Sequence, residues 1–354
     1  MKQKIFALAM ASAMIVSLFA GCGGSSGQNA PTASGEAPAA SSGTQYDKVT
    51  LKLSCNGTDI ANDTRMAKLF AEKVKEKSGG AVTVNVFPND QLASGNMSKG
   101  LELLCDGTVD LDIHSTSIIA NLDNRMMVST LPWLFKDYQA AEDAFFGKGG
   151  EFLNTVLSEK GLTYLGAVHN GFKAMTCGKH AIKSPEDLKG LKIRIPGGDF
   201  FSAFYTAFGA SPQAMSWGEV FTALQQGTVD GQENPLELIY AQKFYEQQKY
   251  VIKTRHLPQT LIWIMNKDFY DGLSDDLKQV VDGAAKAAME AADEYTFSNV
   301  ERIEKELTDQ GITIIDLTPE QIHAFSDKTK KTWDMVKADV NPDVYDAFMA
   351  ALKK

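Results

Sequence analysis

SPEDLKGLKIRIPGG (184–198) and SWGEVFTALQQGTVDGQENP (216–235) place a helix start, a strand, a second helix and a strand end in quick succession. Ser184 stands as a helix cap, Pro185 fills the first turn and Asp187 follows three residues on, a pattern that satisfies free N–H groups at a helix start. Leu191, Ile193 and Ile195 alternate with Lys192 and Arg194, which predicts a short strand with Arg194 turned away from the apolar face. Val220, Phe221 and Leu224 follow Trp217 at helical spacing, Gly227 ends that helix, and Gln232, Glu233 and Asn234 form the next loop. A lone guanidinium near several amides suits a carboxylate, because its parallel N–H donors match two oxygens. A solvated strand-face arginine or a surface ion pair is the plainer alternative, and Trp217 fits a core position as well as a pocket wall.

The phrase has an echo. LLCDGTVD at 103–110 and ALQQGTVD at 223–230 each read as helix end, glycine cap and short strand. Two similar α/β lobes account for it, each using the same turn beneath its strand ends. The region ahead of the first copy agrees. Val49, Leu51 and Leu53 alternate, a helix is expected over about 64–77, Val82, Val84 and Val86 alternate again, and a helix over about 96–105 leads to a strand over 109–113. This β-α-β-α-β start implies parallel strands with helical crossovers. Farther on, Ser274 to Gln310 reads as helix, over ~50 Å long if continuous. Its alanine-rich middle suits close packing across two lobes, while Gly283 and Asp293 mark the places where it would break into two.

At the N-terminus, Lys2 and Lys4 precede an apolar run from Ile5 to Phe19 that ends in Ala20-Gly21-Cys22. This resembles a bacterial lipoprotein signal, with residues 1–21 removed and Cys22 acylated; an ordinary secretory signal is the alternative. Residues 22–45 are nearly all small or polar and read as a flexible tether. Roughly 310 residues remain, enough for two lobes. The first 22 residues take two of the 35 basic residues and no acids, leaving 33 basic against 44 acidic. Such a chain repels anions at long range and is a poor partner for nucleic acid, so an anionic ligand needs a local cationic clamp. Cys55, Cys105 and Cys177 lack metal-like spacing and read as small thiols rather than a bridge.

Catalytic signatures are missing: no phosphate-cradling glycine loop, no G-x-S-x-G and no H-E-x-x-H. The five histidines show no ligand spacing, so no metal and no cofactor are expected. Polar loops at 56–59, 114–117 (with Ser115 and Thr116) and 232–234 fall where a parallel α/β lobe presents ligands, beyond the carboxyl ends of its strands. Helix capping by the same residue types is the blander account. Binding without chemistry is the expectation.

LKGLKIRIP, WGEVFTALQQGTVDGQENP, YEQQKYVIKTRH and LPWLF (131–135) are similar to DctP-type solute-binding proteins of tripartite ATP-independent periplasmic (TRAP) transporters, over nearly the whole chain from Val49. The resemblance implies a two-lobed, periplasmic-binding-protein-like α/β fold with a hinge, mixed sheets and a long helix crossing both lobes. By position it implies lobe I as 46–171 plus about 260–299 and lobe II as 172–259 plus about 300–354. It implies an extracytoplasmic monomer that closes on an organic acid and docks on a small and a large membrane subunit driven by an ion gradient; the lipoprotein-like signal adds the membrane anchor. Arg194 matches the arginine that pairs with the ligand carboxylate, Asn234 its supporting amide, Trp217 a pocket-lining aromatic, and Asn56 a polar contact from the other lobe. Lys173 stands where the family often has a second arginine. Sialate-binding members carry a Glu and an Arg where 114–118 stands here, which argues against sialate and leaves C4-dicarboxylates, uronates and other sugar acids. An ABC-importer binding protein, a secreted enzyme and an adhesin are the competing readings.

Overall fold

The computed structural model describes residues 48–352, and the two copies of the Gly-Thr-Val-Asp turn organise what they show. Eleven strands run in chain order: β1 Val49–Cys55, β2 Val82–Phe87, β3 Leu111–Ser115, β4 Leu162–Phe172, β5 Ala174–Cys177, β6 Lys192–Ile195, β7 Ser211–Ala214, β8 Gly231–Asn234, β9 Tyr250–Lys253, β10 Pro258–Asn266 and β11 Thr313–Asp316. They form two mixed sheets, β2-β1-β3-β10-β4 and β11-β9-β5-β8-β6-β7. As the crossover pattern predicts, β1 runs parallel to β2 and β3, and β6 parallel to β7 and β8. The antiparallel members are β10 in the first sheet and β5 in the second.

In the first copy the helix Met97–Cys105 ends, Gly107 takes φ +77°, and Asp110 locks onto Lys52 of β1 through two backbone-anchored bonds. The second copy repeats this: the helix Val220–Gln225 ends, Gly227 takes φ +69°, and Asp230 locks onto Lys192 of β6. Only glycine adopts these left-handed angles without strain. Because Val109 and Asp110 belong to the turn, β3 starts at Leu111 rather than at 109. The capped segment after Ser184 is likewise shorter than a helix, a single 3₁₀ turn Pro185–Leu188, because the chain must enter β6 four residues later.

The chain passes between the sheets at Lys173 and at Thr254–Leu257, and these crossings pair: Lys173 N–H donates to Leu257 O (2.8 Å) and Arg255 N–H to Lys173 O (3.1 Å). The third link is the helix Asp275–Asp309, unbroken through Gly283 and Asp293. Its buried stripe from Leu277 to Ala292 packs on β1, β3, β10 and the helix Asn62–Lys77, while Ile303 and Leu307 join the core around β9. Glycine in a helix interior costs about 1 kcal/mol relative to alanine, which this two-core burial outweighs. Gly166 of β4 shows how close the packing is, since a Cβ there would lie 2.6 Å from Met289 Cε. The last helix, Pro342–Ala351, leans back on Lys148–Ser158, with Phe348 and Phe152 at 5.6 Å.

Cys55 and Cys177 are buried, Cys105 is half-buried, and none is bridged. No described helix is long and apolar enough to cross a membrane. The signal, the lipid-anchor expectation at Cys22 and the tether lie outside the described residues.

Candidate functional site

The carboxyl ends of β1 and β3 on one sheet face those of β6 and β8 on the other across a cleft lined from both sides. Arg194, Asn234, Lys173, Trp217, Asn56 and Ser115 all line it. Thr116 does not. It begins the short helix Thr116–Ile119, is buried, and lines a smaller neighbouring pocket with Phe201 and Leu257.

Arg194 is 4% exposed, between Ile193 and Ile195 in the apolar core. Its Nη2 donates to Met215 O (2.9 Å), its guanidinium lies 5.7 Å from the Trp217 ring centroid, and its Nε has no partner. Burial pulls its pKa down to about 10, so it stays protonated at neutral pH. Among the described residues it has no ion-pair partner within 4 Å. A buried cation with unused donors is under-satisfied, and the cleft is the side from which an acceptor can arrive. Trp217 stands edge-on to Phe244 at 5.5 Å, so the aromatic wall is itself braced.

Lys173 is a different kind of cation. Its Nζ lies 2.6 Å from Glu233 Oε1, both groups being buried. Glu233 Oε2 also accepts from Tyr205 O–H (2.7 Å) and from His256 Nε2–H (2.5 Å). Burial pushes the Glu233 carboxyl upward, but Lys173 and His256 outweigh it and hold it well below the usual carboxylate range. The Lys173 charge is therefore spent inside the protein. Asn234 donates to Gln232 Oε1 (2.6 Å), Gln232 to Thr176 Oγ1 (3.2 Å), and Thr176 to Gln248 Oε1 (2.9 Å), a relay of amides and a hydroxyl that fixes the amide at the cleft.

Residues 57–339 match the family described as bacterial extracellular solute-binding protein, family 7 (DctP). The chain belongs to the DctP family. A 2,3-diketo-L-gulonate-binding periplasmic protein of Escherichia coli is 32% identical over 275 residues, covering 77% of this chain and 83% of that protein. A C4-dicarboxylate-binding protein of Bacillus subtilis is 31% identical over 288 residues, 81% of this chain and 79% of that one. A TRAP periplasmic solute-binding protein from Shewanella oneidensis, solved with bound succinate, is similar with TM-score 0.80 and 30% identity over 86% of this chain and 99% of that one. A sugar-acid-binding protein from Advenella mimigardefordensis in complex with galactonate gives TM-score 0.81 and 28% identity over 87% and 98%. As a DctP-family protein the chain is an extracytoplasmic solute-binding protein with the family's two-lobed α/β fold.

The opposite wall of this DctP-family cleft holds residues that the loop composition did not single out. Asp63 lines the cleft and accepts from Gly57 N–H (2.7 Å) and Thr64 N–H (2.9 Å). Asn56 donates to buried Asp90 (2.5 Å), whose other oxygen is 3.8 Å from His114 Nε2. Asp112, fully buried, has no partner for either oxygen, and burial pushes its pKa up to about 7. Burial disfavours the His114 cation, yet Asp90, Asp112 and Asp63 outweigh it and raise its pKa. Leu-Asp-Ile-His at 111–114 carried the signal: two ionisable residues in a strand with helices on one side and a neighbour on each edge. Ser115 and Ser117 bond to each other at 3.0 Å on the rim.

Arg65 Nη2 lies 3.5 Å from Glu237 Oε1, and Gln242 donates to Thr58 Oγ1 (2.8 Å), two further links between segments far apart in the chain. A second cavity, behind the crossings, mixes apolar side chains such as Pro235, Val300 and Ile303 with Lys253, Arg255, Glu237 and Glu304, of which Lys253 and Glu304 pair at 2.7 Å.

Proposed function

We propose that this protein captures a small organic acid in the cleft and delivers it to a TRAP importer, a small and a large integral membrane subunit driven by an ion gradient. Arg194 carries the reading: a buried guanidinium in the cleft lining, with donors unused and no acidic partner within 4 Å among the described residues. Asn234 supports the same carboxylate, Trp217 and Asn56 contact the rest of the ligand, and Lys173 takes part as a donor rather than as a net charge. Relatives whose names specify 2,3-diketo-L-gulonate and C4-dicarboxylates, and neighbours holding succinate and galactonate, support a carboxylate.

The lobes are 46–171 with about 260–299, and 172–259 with about 300–354, the final helix leaning across to the first. They close about the paired crossings at Lys173 and Thr254–Leu257, where few backbone angles need to change. Cys22 carries the lipid that holds the monomer at the membrane, and 22–45 gives it reach. The ligand leaves chemically unchanged.

The test is a melting-temperature screen against C4-dicarboxylates, hexuronates, aldonates and 2-oxo acids, followed by calorimetry. A ligand of the folded state raises the melting temperature. Arg194→Ala weakens binding of the responding acid at least tenfold, since each charge-assisted contact contributes about 1.5–3 kcal/mol. Unchanged affinity in that variant removes the clamp.

A further inference from the structure

We infer that the ligand is a monocarboxylate whose far end is rich in hydroxyl groups, and that a second carboxylate is rejected by the wall opposite Arg194. The inference rests on the reading of Arg194 as the carboxylate clamp and adds what the rest of the ligand must be.

Charge across the cleft is one-sided. Two cations line it, and one of them, Lys173, is neutralised by Glu233 at 2.6 Å. That leaves Arg194 as the single unpaired cation among the described lining residues. The wall built from the ends of β1 and β3 contributes no lysine or arginine to the cleft. Asp63 is in the lining itself, and Asp90 and Asp112 are buried behind it. The one group there that can carry positive charge, His114, is fully enclosed and faces Asp90, so it offsets the acids without reaching the ligand. Asp112 has no side-chain hydrogen-bond partner, and even with its carboxyl pushed up to about 7 it adds to the negative potential of this wall at pH 7.5. In a cleft that excludes water this potential is felt across several ångströms.

Hydrogen-bonding capacity points the same way. One Asn56 amide N–H is committed to Asp90, which leaves its carbonyl oxygen and its second N–H unused. The Asp63 carboxylate only accepts, with lone pairs left beyond the two backbone N–H groups it holds. Ser115 and Ser117 use one hydroxyl proton on each other. This wall therefore offers acceptors beside a few neutral donors, and no cation. A hydroxyl donates to it and is satisfied. A carboxylate has no proton to give and adds a like charge.

Acids matched in skeleton and differing in the second carboxylate test this: galactonate against galactarate, and threonate against tartrate, by calorimetry on the purified protein at pH 7.5. The expected result is that the monoacid of at least one pair binds at least thirtyfold tighter than its diacid. A diacid, or succinate, binding as tightly as the matched monoacid while Arg194→Ala abolishes it overturns the inference and keeps the clamp. Failure of every acid, with Arg194→Ala indistinguishable from the wild type, overturns the clamp and the inference together. Asp112→Asn, nearly isosteric and out of contact with the ligand, supplies a second reading. It raises diacid affinity severalfold more than monoacid affinity; an unaltered ratio removes the buried acids as the cause.

Discussion

The Asp110 turn and the Asp230 turn are the same device with different floors above them. Each ends a helix at a left-handed glycine and clamps its aspartate onto a strand of its own sheet, β1 in one and β6 in the other. Past the first, β3 carries Asp112 and His114 into a buried acidic cluster; past the second, β8 carries Glu233 into a fully bonded network with Lys173, His256 and Tyr205. One lobe thus spends its acid on internal cations and leaves Arg194 free. The other sets three acids against the single His114. Two nearly equivalent scaffolds produce a cleft with a cationic end and an acidic end, and the difference lies in two or three side chains per strand.

The sharpest way to break the comparison is to uncouple Glu233. Glu233→Gln leaves Lys173 as a buried charge without its partner, and breaking a buried pair in this way costs about 3–5 kcal/mol. Urea unfolding at pH 7 checks it. The sign with pH follows from the depressed Glu233 carboxyl. Its stabilisation is present above the ordinary carboxylate pKa and fades as pH falls through the folded value, so the gap between variant and wild type narrows in acid. A loss below about 1 kcal/mol would mean that the network is not holding the lobe together.

Asp112 sits on the opposite side of the ledger. Burial raises its pKa to about 7, so the folded protein holds a proton there that the unfolded chain releases near pH 4. Stability is therefore drained as pH rises from about 4 through 7. Asp112→Asn removes that drain, and because neither oxygen has a partner it forfeits no hydrogen bond. The variant should gain about 1–3 kcal/mol over wild type at pH 8 and little at pH 5. Glu237 and Asp293, also raised to about 7 by burial, keep part of the alkaline slope in the variant. Equal stability at both pH values would mean that Asp112 ionises freely in the fold.

Much of this architecture was legible in the sequence, for a physical reason. Strand alternation, glycine caps and the Gly-Thr-Val-Asp echo report local geometry, and local geometry here agrees with the sheets that form. The long helix was legible as a period, but its continuity through Gly283 depends on two cores that only the folded chain brings together. Arg194, Asn234, Asn56 and Ser115 were readable because strand ends in parallel sheets converge, while Trp217, which fitted a core position as well, was placed by the family resemblance alone. Thr116 was not, since neighbours on a helix start point in different directions and the loop's composition does not say which one faces the cleft. Lys173 reads as a spare cation in sequence, and its neutralisation is a long-range fact, sixty residues from Glu233. The acidic wall was missed because Asp63, Asp90 and Asp112 are separated in sequence and meet only where β1, β3 and their loops pack.

The smallest expected effect bears most directly on whether the two turns are equivalent. Asp110 and Asp230 make the same bond to their strands, at 2.7 and 2.9 Å, but Asp230 also pairs with Lys179 Nζ at 2.7 Å. Burial raises the pKa of Asp110. Burial pushes Asp230 the same way, but Lys179 and the Lys192 amide outweigh it, so its pKa is lowered. Asparagine at either position retains an acceptor for the strand N–H and removes only the charge. Asp230→Asn should therefore lose about 0.5–1 kcal/mol at pH 7, with the loss vanishing as pH falls through the acid range and shrinking in high salt, because Lys179 is largely exposed. Asp110→Asn should stay within about 0.5 kcal/mol of wild type, on the stabilising side at neutral pH. Equal losses from the two variants would mean that the turn itself, not its charged surroundings, sets what each aspartate contributes.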